Sequence, residues 1–162
     1  MSVFKTIFTR SNRVHPSDNA IIAFPGAVNS TGTNTTATAS KLINSSADFI
    51  TTPVYPGDVV HNDTASTAAT VVSVDSATQL TLNANIFATT AQTYAIYSMG
   101  AQAGIGQTGA ALYVGGAGNV SVITIGGDTI TFNGVLAGTT LPIQALQLRS
   151  SGTTATLING MW

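Results

Sequence analysis

Only 7% of the 162 residues are charged, and none of the acids is a glutamate. Soluble domains ordinarily carry about 25% charged residues. Lysine, arginine and glutamate are strong helix formers and fill the outer faces of ordinary helices. Here threonine, serine and asparagine take the polar positions. Threonine favours strands through its branched Cβ, whereas serine and asparagine favour turns. The chain is therefore expected to be all-β. Gln144 to Leu148 is ambiguous but too short to stand as an independent helix.

The same composition excludes several kinds of chemistry. The chain has no cysteine, so disulfides, thiolate zinc sites and cysteine nucleophiles are out. A net charge of −1 argues against a broad nucleic-acid-binding surface. Weak charge also gives little repulsion between copies, which suits a protein that works in an assembly. No run approaches the length of apolar residues needed for a membrane helix. Met1 to Arg10 alternates in character and lacks a signal-peptide core.

Turn residues divide the chain into an arm and two β units. Residues 1–19 read as an N-terminal arm holding Lys5, Arg10 and Arg13, three of the five basic residues. Ala20 to Phe24 reads as a first strand. Asn29 to Thr38 is a polar loop or an edge strand of low apolar content. Strand signals then recur at Val59-Val60, Thr70 to Val74, Gln79 to Leu82 and Tyr94 to Tyr97, with turns at Tyr55 to Asp58 and Asp75 to Thr78. That spacing suggests a small barrel or sandwich. Residues 99–109 are glycine-rich and read as a linker. A second group of strands follows at Ala111 to Val114, Val120 to Ile125, Thr129 to Phe132, Leu141 to Leu148 and Thr154 to Ile158. Gly126-Gly127 between two of them predicts a hairpin with a primed turn, because primed turns need positive φ.

The sequence offers no reactive constellation, so no catalytic, cofactor-binding or metal residues are expected. Gly104 to Gly109 matches G-x-G-x-x-G, but no helix follows to face a pyrophosphate. His15 lies in the arm. His61 reads as a surface residue after a strand. Neither has a second histidine, cysteine or glutamate at ligand spacing. The acids Asp18, Asp48, Asp58, Asp63, Asp75 and Asp128 read as turn and surface residues rather than as a catalytic pair. An enzyme is not expected.

Residues 111–158 carry Leu112-Tyr113-Val114-Gly115-Gly116-Ala117-Gly118, then Gly126-Gly127-Asp128-Thr129 with Thr131-Phe132. Ala137-Gly138-Thr139 follows with Leu141-Pro142-Ile143. In this order they resemble the small spike-base and head-decoration (cement) proteins of tailed bacteriophages and gene-transfer agents. Gly57-Asp58-Val59-Val60 with Ala69 to Leu82 resembles a β module found in several phage virion proteins, tail parts included. Spike-base proteins run directly from a strand like Ala20–Phe24 to one like Ala111–Val114, so the middle module would be an insertion.

The resemblance implies two β-sandwich or barrel units. Residues 20–26 with 110–162 would form the base, and residues 27–105 the inserted module. It implies a non-enzymatic virion protein on the outer surface of the phage head. Its partners would be the major capsid protein and other copies of itself, as a homotrimer, with no nucleic acid, membrane or cofactor. Lys5, Arg10 and Arg13 are the candidate capsid contacts. A tail, neck or fibre-base component, or a carbohydrate-binding adhesion module displaying paired aromatics, are the alternatives.

Overall fold

A computed structural model describes residue 8 and residues 10–24, 28–99 and 109–162. These residues contain twelve strands and no helix. In chain order the strands are β1 (Ser11–Arg13), β2 (Val28–Thr33), β3 (Lys41–Ile43), β4 (Val59–Asn62), β5 (Thr67–Ser76), β6 (Gln79–Leu82), β7 (Thr93–Tyr97), β8 (Ala110–Gly116), β9 (Gly118–Thr124), β10 (Thr129–Val135), β11 (Thr139–Leu148) and β12 (Thr156–Met161). They make two six-stranded sheets with antiparallel pairing, ordered β1-β12-β8-β11-β9-β10 and β2-β7-β4-β5-β6-β3. Every strand of the second sheet lies between two parts of the first in the chain. We call the first the base sheet and the second the barrel sheet.

The barrel sheet curls into a half-barrel, and the chain just after β2 reaches β3 at one point. Thr36 bridges Ile43, and Thr35 N donates to Ile43 O at 2.8 Å. Inside, Leu42, Val60, Val71, Leu80, Leu82 and Ile96 pack with Phe49, Phe87 and Tyr94. The Tyr94 hydroxyl accepts a buried hydrogen bond from Asn44 Nδ2 at 2.9 Å. Gly32 lies against this pair. A Cβ there would sit 2.8 Å from the Tyr94 oxygen and 2.7 Å from Asn44 Nδ2, so the position has room for hydrogen only.

Strand alternation sorts β4 and β7 between two layers. Val60 and Ile96 point into the barrel core, whereas Val59, Ala95 and Tyr97 point outward into a separate cluster with Ala20, Ala23 and Ala68. All four residues of β4 are consequently buried.

The base sheet has its own core of Val14, Ile22, Leu112, Val114, Val120, Val122, Leu148 and Ile158, with Trp162 packed against it. The Gly126-Gly127 hairpin differs from the primed turn expected. Thr124 N donates to Asp128 O at 2.9 Å, which leaves a three-residue loop, and Gly127 has φ of 91°. That is a left-handed third loop residue, the arrangement that follows a type I turn with a bulge. It needs one glycine where a type I′ turn needs two left-handed residues.

Candidate functional site

Two regions stand out: the strap joining the two units, and the outer edge of the base sheet. The strap is the chain from Val14 to Phe24. On the base side, Val14 N donates to Ile158 O (2.9 Å), Ser17 N to Leu148 O (2.8 Å) and Ile22 N to Leu146 O (2.9 Å). On the barrel side, Ser17 Oγ donates to Ala68 O (2.7 Å), and Asn19 O accepts from Thr70 Oγ1 (2.9 Å) and Asn83 Nδ2 (2.7 Å). Ala20–Phe24, expected as a strand, belongs to no ladder. Its side chains serve two bodies: Ile22 enters the base core, while Ala20 and Ala23 pack on the barrel.

The strap brings His15 to His61, against the expectation of a lone surface histidine after a strand. His61 lies within β4, with 3% of its surface exposed. Its ring meets His15 edge-on at 4.6 Å and contacts Tyr97 at the same distance. His15 Nε2 lies 3.1 Å from Asp63 Oδ1. One ligand atom from each of His15, His61 and Asp63 can be chosen so that all lie within 4.8 Å of one another. Burial, followed by repulsion from His15, lowers the His61 pKa to about 3. Burial also lowers that of His15, with Asp63 opposing the shift and Arg13 adding slightly to it. Both rings are therefore neutral at pH 7. His15 Nδ1 is buried and has no hydrogen-bond partner among the described residues. Spacing in the sequence could not reveal this cluster, because His15 and Asp63 are 48 positions apart. The alternation of β4, which turns His61 away from the barrel core, was the available signal.

The candidate contact residues fall near the opposite edge. Lys5 lies outside the described residues. Arg10 exchanges two backbone hydrogen bonds with Trp162, at 3.2 and 3.0 Å, and its guanidinium sits 5.7 Å from the centre of the Phe24 ring. Arg13 is an exposed residue of β1, paired with Asn159. Part of the expected arm is thus a strand of the base sheet.

The acids hold local structure. Asp58 is buried and accepts from Tyr55 N and Met99 N. Asp48 caps Ile50 N and Thr51 N. Asp18 binds Ser150, Ser151 and Arg149, and Asp75, on β5 rather than in the turn expected, gathers Lys41, Ser73, Gln79 and Thr81. Tyr94 and Tyr97 are buried, while the exposed Tyr55 and Tyr113 belong to different units.

No protein-family model, no curated protein and no solved structure matches this chain.

At the far end of the base sheet, β10 pairs only with β9, and no described residue pairs with its outer edge. The Thr124–Asp128 bond sets the alternation, so the N–H and C=O groups of Thr129 and Thr131 point outward. The register slips after Phe132, leaving Thr129 to Phe132 as the straight portion. The strand carries no charge. Ile125, Ile130 and Leu136 are exposed before, within and just after it. Long open edges are normally blunted by lysine, proline, covering segments or very short strands. The other edge of the base sheet, β1, has three residues and an arginine.

Proposed function

We propose that this chain is a non-enzymatic structural protein of a tailed-phage particle, a decoration (cement) or spike-base protein on the outer surface of the head. The observation that carries the reading is the open, uncharged β10 edge of the base sheet, flanked by exposed apolar residues. Such an edge offers hydrogen bonds to another chain, and the exposed Ile125, Ile130 and Leu136 add apolar area beside it. The segments that resemble spike-base proteins fall on β8, β9, β10 and β11 and the turns between them, which is the part of the molecule that bears this edge.

The occupant of the edge is a second copy of this chain. Pairing β10 with β10 would give a two-fold dimer. A cyclic homotrimer requires β10 to meet a different surface of the next copy. The major capsid protein is the second partner, reached through Lys5, Arg10 and Arg13, and attachment is the sum of repeated weak contacts. Removing residues 1–14 would test the fold as well as the tether, since it takes β1 and Val14 from the base core. Alanine at Lys5 and Arg13 is the cleaner probe, and reduced capsid occupancy is expected.

Gold-labelled antibody against the chain, applied to particles of the phage that encodes it, tests the assignment. Label over the head is the expected result. Label confined to the tail or neck would replace the head reading with a tail or fibre-base one. Particles without label would overturn a virion role.

A further inference from the structure

Three features outside the β10 edge invite a role. A cleft of ≈ 230 Å³ is bounded by Arg13, His15, Ser66 and Leu157. Ser66 and Leu157 are non-glycine residues with positive φ, at 54° and 52°. Beside the cleft sits the His15–His61–Asp63 cluster, whose donor chemistry is the most specific of the three.

The geometry points to a divalent transition-metal site, of the kind that binds Zn²⁺, formed by His15, His61 and Asp63 at the junction of the two β units. Two imidazoles and one carboxylate are a recurrent donor set for such ions, usually with water in the open position. Neutral imidazole is the ligating form, and burial keeps both rings neutral here. Histidine nitrogen and carboxylate oxygen bind Zn²⁺ at about 2.0–2.2 Å, which in a tetrahedral site separates ligand atoms by about 3.4 Å. The His15 Nε2 to Asp63 Oδ1 distance of 3.1 Å already fits. The widest separation, within 4.8 Å, closes through a small rotation of Asp63, whose side chain is 48% exposed.

One observation separates this site from a buried hydrogen-bonded pair. His61 is almost wholly buried, and its ring contacts those of His15 and Tyr97 with no hydrogen bond among the described residues. Coordination would give that ring a polar partner and would join His15 through Nε2, the nitrogen that faces Asp63. The exposed side of Asp63 and the cleft beside His15 give an ion its entry.

The ligands come from both units. His15 follows β1 of the base sheet, and His61 and Asp63 lie on and just after β4 of the barrel. An ion there would pin the barrel to the base and stabilise the folded protein by mass action. This inference does not depend on the phage reading.

The test is titration of the metal-free full chain with Zn²⁺ and, separately, Co²⁺. It is followed by calorimetry, by the visible absorption of Co²⁺ and by thermal unfolding. One bound ion per chain, a tetrahedral-type Co²⁺ spectrum and a raised Tm are expected. Asp63→Asn, at a half-exposed position where the fold tolerates change, should weaken binding at least tenfold. His61→Gln should abolish the spectrum. Absence of binding at micromolar metal overturns the site. So does binding that neither Asp63→Asn nor His61→Gln weakens, which would place the ion elsewhere.

Discussion

The barrel and base sheets have six strands each, yet they end differently. The barrel returns to itself through Thr36 and Ile43, and its short edge strand β3 carries Lys41 in an ion pair with Asp75 at 2.7 Å. The base sheet stays open at β10, with no charge along it. Closing a sheet removes its sticky edges, whereas leaving one open keeps a place for another chain. The barrel sheet ties its two ends at one bridge, whereas the outer edge of β10 is unpaired among the described residues.

The comparison breaks most readily in the cores. Leu80 and Leu112 are both fully buried, one in each unit. Alanine at either should cost about 2–5 kcal/mol. Because the cores are separate, Leu80→Ala should speed amide exchange mainly in the barrel and Leu112→Ala mainly in the base. Equal loosening of both units by either change would show that they act as one body.

A smaller loss is expected at Gly32. Gly32→Ala forces a methyl group against Tyr94 and Asn44 and should cost about 1–3 kcal/mol. Urea unfolding followed by Tyr94-sensitive spectra would measure it. An unchanged midpoint would mean that the barrel yields at this contact.

The junction between the units should be acid-sensitive. The folded protein keeps His61 neutral down to about pH 3, while the unfolded chain takes up the proton near the ordinary value of 6.5. The unfolded state therefore binds more protons between those limits. Stability is complete above about pH 6.5 and falls as pH drops toward 3, by at most about 1.4 kcal/mol per pH unit for this one proton. Chelator-treated His61→Phe should flatten that slope between pH 6 and 4, read from urea midpoints, with the residual slope set by His15 and the carboxylates that face the strap.

The smallest effect on stability belongs to the open edge. Ile130→Lys changes an exposed side chain and should cost under about 1 kcal/mol, whereas Thr131→Pro removes an outward N–H and also the Thr131 Oγ1 bond to Ser121 Oγ of β9 (3.2 Å), worth about 1 kcal/mol more. Their effect on self-association should be large. Thr31→Lys on β2, an edge strand of the barrel sheet, should leave association unchanged.

Much of the fold was legible in the sequence. Val59-Val60, Thr70 to Val74, Gln79 to Leu82 and Tyr94 to Tyr97 all lie within strands of the barrel sheet. The base hairpins follow the glycine turns. Ala20–Phe24 misled because its apolar residues satisfy two separate bodies, a demand that local periodicity does not encode. His61 misled for a related reason. Flanked by Asn62 and Asp63 it reads as polar surface, but the strap covers the outer face of β4. The open edge of β10 depends on the strand order of the base sheet, which no local pattern states.

The most direct test of the central claim is native mass spectrometry of the full chain beside its Ile130→Lys and Thr131→Pro variants. Multiple copies for the natural sequence and single chains for both variants are predicted, with three copies indicating that β10 meets a different surface and two that β10 meets β10. A single chain for the natural sequence, or assemblies that both variants preserve, would contradict the account.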